Sequence, residues 1–123
     1  MIAYDELWRG IVMAVPDGLW VVDLQGLTLF NNKRVADILG VETESLSGQS
    51  CFEFVFPEEL PEAERRFAEC IAGRSGPVGV RLRRNDGSAI WVSIEYGTVA
   101  DASGATIGLL GMFSDITELV EES

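Results

Sequence analysis

Two strand-like segments precede a helical middle and three follow it, and no other feature so limits what this chain can fold into. Residues 19–23 are β-branched and aromatic and read as a strand. Leu24-Gln25-Gly26 turns the chain, and residues 27–30 return as the second arm of a hairpin. Asn31 or Asn32 stands where it can cap a helix over Lys33–Leu39, because an Asn side chain accepts from the orphan amides of a first turn; Gly40 ends that helix. Residues 42–56 read as short helical turns divided by Gly48. Residues 57–71 form the longest helix, with Leu60, Ala63, Phe67, Cys70 and Ile71 on its apolar face. Glu58, Glu59 and Glu62 lie near its start, where the helix dipole favours anions.

Val78, Val80 and Leu82 alternate with Gly79, Arg81 and Arg83, the period of a half-buried strand. Asn85-Asp86-Gly87-Ser88 is a hairpin turn, since these residues tolerate positive φ. Residues 89–99 make a long strand, Asp101-Ala102-Ser103-Gly104 a second turn, and residues 106–114 the last strand. No strand-helix-strand alternation repeats, so the expected class is α+β: a five-stranded antiparallel sheet with short helices on one face. Leu7, Trp8, Ile11, Val12 and Val15 form the stripe of an N-terminal helix that Pro16-Asp17-Gly18 stops, and the sheet's other face is its expected seat. The chain of 123 residues suits one domain: residues 1–17 an amphipathic helix, 18–117 the core, and 118–123 the start of a linker helix.

Composition removes several functions. The net charge of −11 repels phosphate backbones, which argues against nucleic acid and anionic membrane as partners. The chain contains no histidine, so Ser-His and Cys-His catalytic pairs and histidine-ligated haem or zinc are excluded. Cys51 and Cys70 make neither a disulfide framework nor a zinc site. No apolar run approaches the roughly 20 residues of a membrane span, and residues 1–6 lack a basic leader, so the expected location is cytoplasmic.

Five segments, in order, resemble the PAS family from about Leu7 to Glu118. Pro16-Asp17-Gly18-Leu19-Trp20-Val21-Val22-Asp23 is similar to its opening Pro-Asp-Gly-Ile-x-Val-x-Asp. Phe30-Asn31 with Ala36-Asp37-Ile38-Leu39-Gly40 resembles its Asn-x-Ala and Leu-Leu-Gly segment, and Leu46-Ser47-Gly48 with Phe56-Pro57-Glu58-Glu59 its middle. Arg84-Asn85-Asp86-Gly87-Ser88 with Trp91-Val92 resembles the late Arg-Lys-Asp-Gly-Ser and Trp-Val, and Asp115-Ile116-Thr117 with Glu118 the exit motif. The resemblance implies a sensory, non-catalytic module whose sheet wraps a cavity closed by helices. It also implies that the signal leaves through Asp115, Ile116 and Thr117 to a linked effector after Ser123: a histidine kinase of a two-component system, a cyclic-dinucleotide enzyme or a phosphatase.

In the light-oxygen-voltage branch of that family, a cysteine within Asn-Cys-Arg-Phe-Leu-Gln forms a flavin adduct. The matching stretch here is Ser50-Cys51-Phe52-Glu53-Phe54-Val55, and Val92 and Phe113 stand where that branch supplies an Asn and a Gln. Flavin is therefore disfavoured, because its polar ring edges would stay unpaired at about 1–3 kcal/mol each. Haem is disfavoured for want of a histidine ligand. With no cofactor expected, alternation assigns Val80, Val92, Ile94, Leu109, Gly111 and Phe113 to the helix side, faced by Phe30, Leu39, Cys51, Phe54, Phe67 and Ile71. That lining suits either a filled core or a small apolar ligand such as a fatty acid or a quinone-like molecule. Trp20, Val22, Trp91, Leu110 and Met112 are then assigned outward, where with Leu7, Trp8, Ile11 and Val12 they would bury a homodimer interface. The competing function is a ligand-free dimerisation scaffold.

Overall fold

The computed structural model describes residues 6, 7, 10, 11, 14–74, 76 and 78–122. Five strands form one antiparallel sheet: β1 (Gly18–Asp23), β2 (Thr28–Asn31), β3 (Val78–Arg83), β4 (Ala89–Ala100) and β5 (Thr106–Asp115), in the order β2-β1-β5-β4-β3. The first and last strands therefore meet at the centre, and the helical middle crosses one face. Helix α1 (Lys33–Leu39), 3₁₀ turns at Thr43–Leu46, Cys51–Phe54 and Pro57–Glu59, and helix α2 (Leu60–Ile71) make that crossing. Helix α3 (Thr117–Glu122) follows β5. The long helix of the sequence reading is thus a 3₁₀ turn followed by an α-helix from Leu60, with Pro61 in its first turn, where a missing N–H loses no bond.

Local chemistry explains the joints. The Asp23 carboxylate accepts from the amides of Gln25 and Leu27, each at 2.9 Å, which folds the first hairpin. Asn32 is the cap: its Oδ1 accepts from Val35 N at 3.2 Å and from Leu19 N at 3.0 Å, tying α1 to β1. Gly40 closes α1 at φ 74°, a left-handed conformation that glycine adopts freely. The core lies between the sheet and the helices, where Val35, Leu39, Leu46 and Val92 are fully buried.

Strand β1 faces the opposite way from the sequence expectation. Trp20 and Val22 point inward and are buried, at 4% and 6% exposure. Trp20 pairs with Gly111 of β5, and its Nε1–H donates to Thr28 Oγ1 at 2.9 Å. Phe30, expected inside, pairs with Val21 and so lies on the outer face. Leu19–Asp23 is apolar at nearly every position, so alternation alone does not reveal its parity.

The described N-terminal residues Glu6, Leu7, Gly10, Ile11 and Ala14 are helical. Leu7 and Ile11 are exposed; Trp8 and Val12 lie outside the described residues. No helix among the described residues is long and apolar enough to cross a membrane.

Candidate functional site

A cavity of about 330 Å³ lies between the inner sheet face and the helical layer. Its floor is Trp20 and Val22 from β1, Leu109, Gly111 and Phe113 from β5, and Ile94 and Tyr96 from β4. Val80 and Leu82 extend the floor toward the edge strand β3. Its roof is Cys51, Phe52 and Val55 with Ala63 and Phe67 of α2, and Phe52 meets Phe67 edge to face at 5.3 Å.

The aromatic floor is built around Trp20. Its ring lies 5.5 Å from Phe113 and 5.8 Å from Phe54, a spacing at which tilted aromatic pairs attract. A Cβ at Gly111 would stand 2.6 Å from Cε1 of Phe113, so the ring has already taken part of the space that the glycine leaves. The roof is pinned to the first hairpin. Cys51 N donates to Gly26 O at 2.8 Å, and a Cβ on Gly26 would meet the Phe52 ring at 2.9 Å.

Seven of the residues expected in the lining are there: Cys51, Phe67, Val80, Ile94, Leu109, Gly111 and Phe113. Leu39, Phe54, Ile71 and Val92 pack in or against the core without reaching the cavity, and Phe30 lies on the far face. Trp20, expected at a dimer surface, belongs to the floor. Trp91 is half-buried and borders the cavity, while Leu110 and Met112 do face outward, Met112 at 36% exposure.

The mouth, unlike the apolar lining, is charged. Glu58, Glu59, Glu62, Arg66 and Arg81 surround it. The Arg81 guanidinium bonds Glu59 Oε1 at 2.9 Å, approaches Glu58 Oε1 at 3.3 Å and covers the Phe56 ring at 4.1 Å. Arg66 pairs with Glu62 at 3.5 Å. Adjacent helix acids were readable as dipole partners; that they also frame an opening depends on long-range packing.

Two titratable groups border the interior. Burial pushes the Cys51 thiol up to about 12, with the Asp23 charge adding to the rise against an opposing backbone bond, so Cys51 is a neutral thiol. Burial likewise pushes Tyr96 up to about 12, so its phenol keeps its proton. No described residue hydrogen-bonds the Tyr96 hydroxyl.

The exit residues are held by β4. Ile116 N donates to Trp91 O at 2.9 Å, Trp91 N donates to Thr117 Oγ1 at 3.2 Å, and Thr117 N donates to Asp115 Oδ1 at 2.9 Å. Ile116 also packs beside Gly79 of β3.

A sheet folded over a half-open apolar cavity, with its last strand leading into a clamped tail, defines a small α+β sensor-type domain. The model of the PAS fold matches residues 6–116, and the chain belongs to that family. Two curated relatives are the C4-dicarboxylate transport sensor protein DctS of Rhodobacter capsulatus, 32% identical over 113 residues, and a probable diguanylate cyclase, DgcE, of Escherichia coli, 24% identical over 104. The alignments cover 89% and 83% of this chain but only 17% and 9% of those proteins, so it corresponds to a small part of either. Among solved structures, a PAS domain from Colwellia psychrerythraea superposes with a TM-score of 0.85 at 20% identity, covering 94% of this chain and 99% of that one. An RNA-binding light-oxygen-voltage receptor superposes at 0.80 with 20% identity, covering 96% of this chain and 35% of that one. The relatives and the fold together give the chain a sensory signalling role.

Proposed function

We propose that this domain binds a small, mostly apolar molecule in the cavity under α2 and reports its presence through Asp115-Ile116-Thr117 to an effector in the same polypeptide. The observation that carries this reading is the seat of Trp91. It borders the cavity, pairs across the sheet with Arg81 at the mouth, and bonds both Ile116 and Thr117 through its main chain. A shift of β4 caused by cavity contents is thereby a shift of the tail. The domain itself catalyses nothing in this reading; the linked effector is a kinase, a cyclic-dinucleotide enzyme or a phosphatase, and the DctS and DgcE relatives favour the first two. Its net charge of −11 argues against nucleic acid as a partner. Self-association through the outer sheet face at Leu110 and Met112 completes the assignment, and light scattering of the purified domain tests it.

The cavity is not a flavin site in this reading. Ile94 and Phe113 offer the ring's polar edges no partner, which leaves the single Tyr96 hydroxyl for a group that needs several. A chain purified from flavin-supplemented cells should show no flavin absorbance in the visible range.

The decisive test uses the full-length protein. Thr117→Val removes the acceptor for Trp91 N–H and should uncouple output from ligand while binding in the cavity is unchanged. Normally regulated output from that variant refutes the relay.

A further inference from the structure

The two arginines that line the cavity differ in how far they are committed. Arg81 is held by Glu59 and Glu58 and lies over the Phe56 ring. Arg66, on the roof helix α2, approaches Glu62 to 3.5 Å and makes no hydrogen bond among the described residues. Glu62 does not depend on it, because Arg65 grips both carboxylate oxygens, Nε to Oε2 at 3.0 Å and Nη2 to Oε1. Glu62 is also exposed to water, whereas the Arg66 side chain keeps only 29% of its surface exposed. The Arg66 N–H donors therefore stand beside the cavity with no hydrogen-bonded acceptor. On the facing floor, the Tyr96 hydroxyl is hydrogen-bonded by no described residue. Burial raises the pKa of that phenol and the charge of Arg66 acts against the rise, so the guanidinium is felt at the hydroxyl. Between them lies a volume of about 330 Å³, roughly twice that of a ~150 Å³ cavity able to hold benzene. Trp20, Phe52, Phe67 and Phe113 line it, and such walls favour a flat ring body over a flexible chain.

We infer that the site takes a monoanionic carboxylate with an apolar body about the size of two fused rings, its head group received by the Arg66 guanidinium and the Tyr96 hydroxyl. The proposal rests on the ligand-binding reading above and deepens it by naming the head group and the residues that read it. A guanidinium fork matches a carboxylate with parallel N–H bonds, and a phenol that keeps its proton donates one more. An uncharged head group leaves the charge-assisted part of that bonding unused, and a cationic one meets the Arg66 charge directly. The mouth carboxylates do not bar the anion, since Arg81 holds Glu58 and Glu59 and Arg65 holds Glu62. The rest of the chain's net charge of −11 acts from farther off and is screened beyond about 8 Å at physiological ionic strength. Tyr96 stands on β4 directly across from Gly111, and Arg66 on α2. A carboxylate that bridges them ties the roof helix to the strand whose other end holds the tail.

Isothermal titration calorimetry at neutral pH with naphthalene, 2-naphthamide and 2-naphthoate tests this, the amide being an uncharged near-isostere of the carboxylate. NMR of the Trp20 indole N–H places each probe in the cavity. Naphthoate should bind about 5- to 30-fold more tightly than naphthamide, the margin of charge-assisted over neutral hydrogen bonds. Arg66→Gln should erase that margin by weakening naphthoate alone, and Arg66→Lys should restore part of it. Tyr96→Phe should weaken naphthoate roughly two- to tenfold and leave naphthalene's affinity alone. The comparison of naphthoate with naphthamide on the native chain needs no variant, so it stands however well the variants fold. Naphthamide binding as tightly as naphthoate overturns the inference and leaves the sensor reading intact. An undiminished naphthoate preference in folded Arg66→Gln, or an unmoved naphthoate affinity in folded Tyr96→Phe, does the same. Failure of all three probes to bind overturns both.

Discussion

Gly111→Ala tests whether the cavity floor is built as described. Gly111 has an ordinary φ, since it is absent from the positive-φ glycines, so a methyl group there strains packing and not the backbone. That methyl would lie 2.6 Å from Cε1 and 3.4 Å from Cζ of Phe113, against an optimum of about 3.5–4.0 Å between carbons. The ring must therefore move by about 1 Å, away from its seat 5.5 Å from Trp20. Overpacking of this kind costs about 1–3 kcal/mol. The smaller entropy of the unfolded alanine chain returns about 0.4–1 kcal/mol, so a net loss of about 1–2 kcal/mol is expected. For a domain this size that lowers Tm by roughly 3–10 °C. The argument becomes specific in a double-mutant cycle. Leucine at 113 ends near the depth of Cδ1, which lies 3.5 Å from the added methyl, an ordinary contact. In a Phe113→Leu background, Gly111→Ala should therefore cost almost nothing, a coupling of about 1 kcal/mol or more. Urea unfolding followed by tryptophan fluorescence measures all four stabilities. If alanine costs the same in both backgrounds, the clash is not with the Phe113 ring and the account of the floor is wrong.

Three further outcomes are expected. Thr28→Val leaves the buried Trp20 Nε1–H without its acceptor and should cost about 1–3 kcal/mol in urea unfolding; a neutral result would deny that bond a structural role. Folded Cys51 and Tyr96 both titrate near 12, above their ordinary values of 9.0 and 10.0, so between about pH 9 and 12 the native chain holds protons that the unfolded chain has lost. Stability should accordingly fall as pH rises through that window, and thermal melts of Cys51→Ala combined with Tyr96→Phe should show a flatter decline; an equally steep one excludes these groups. Asp115→Ala frees Thr117 N from its carboxylate and should weaken signalling in the full-length protein while the domain's circular dichroism and Tm hold, whereas unaltered output removes Asp115 from the relay.

The succession of strands was legible because its turns are chemical: Asp23, Asp86 and Asp101 each fold a hairpin by accepting a nearby amide, the last two within Asp-x-Ser sequences. The cap at Asn32 and stop at Gly40 were equally local. What escaped was parity and reach. Strand β1 is central and apolar on both faces, so only its pairing with Gly111 and the bond from Trp20 to Thr28 decide which side faces the helices. A tryptophan needs a partner for its N–H when buried, and Thr28, a lone hydroxyl in the returning arm, was the available signal. Phe30 went astray with β1, aided by the irregular register between Val21 and Val22. Glu58, Glu59 and Arg81 meet across more than twenty residues of sequence, a distance over which no periodicity carries information.

The grip on the tail has an evolutionary consequence. Ile116 is held by a carbonyl, and Thr117 by an amide, of residue 91, and neither depends on which side chain that residue bears. Side chains facing the cavity are therefore free to be exchanged for new chemical tastes without redesigning the wiring downstream. On the proposed reading, a domain plumbed in this way is a transferable input, able to change what it senses while keeping the same plug.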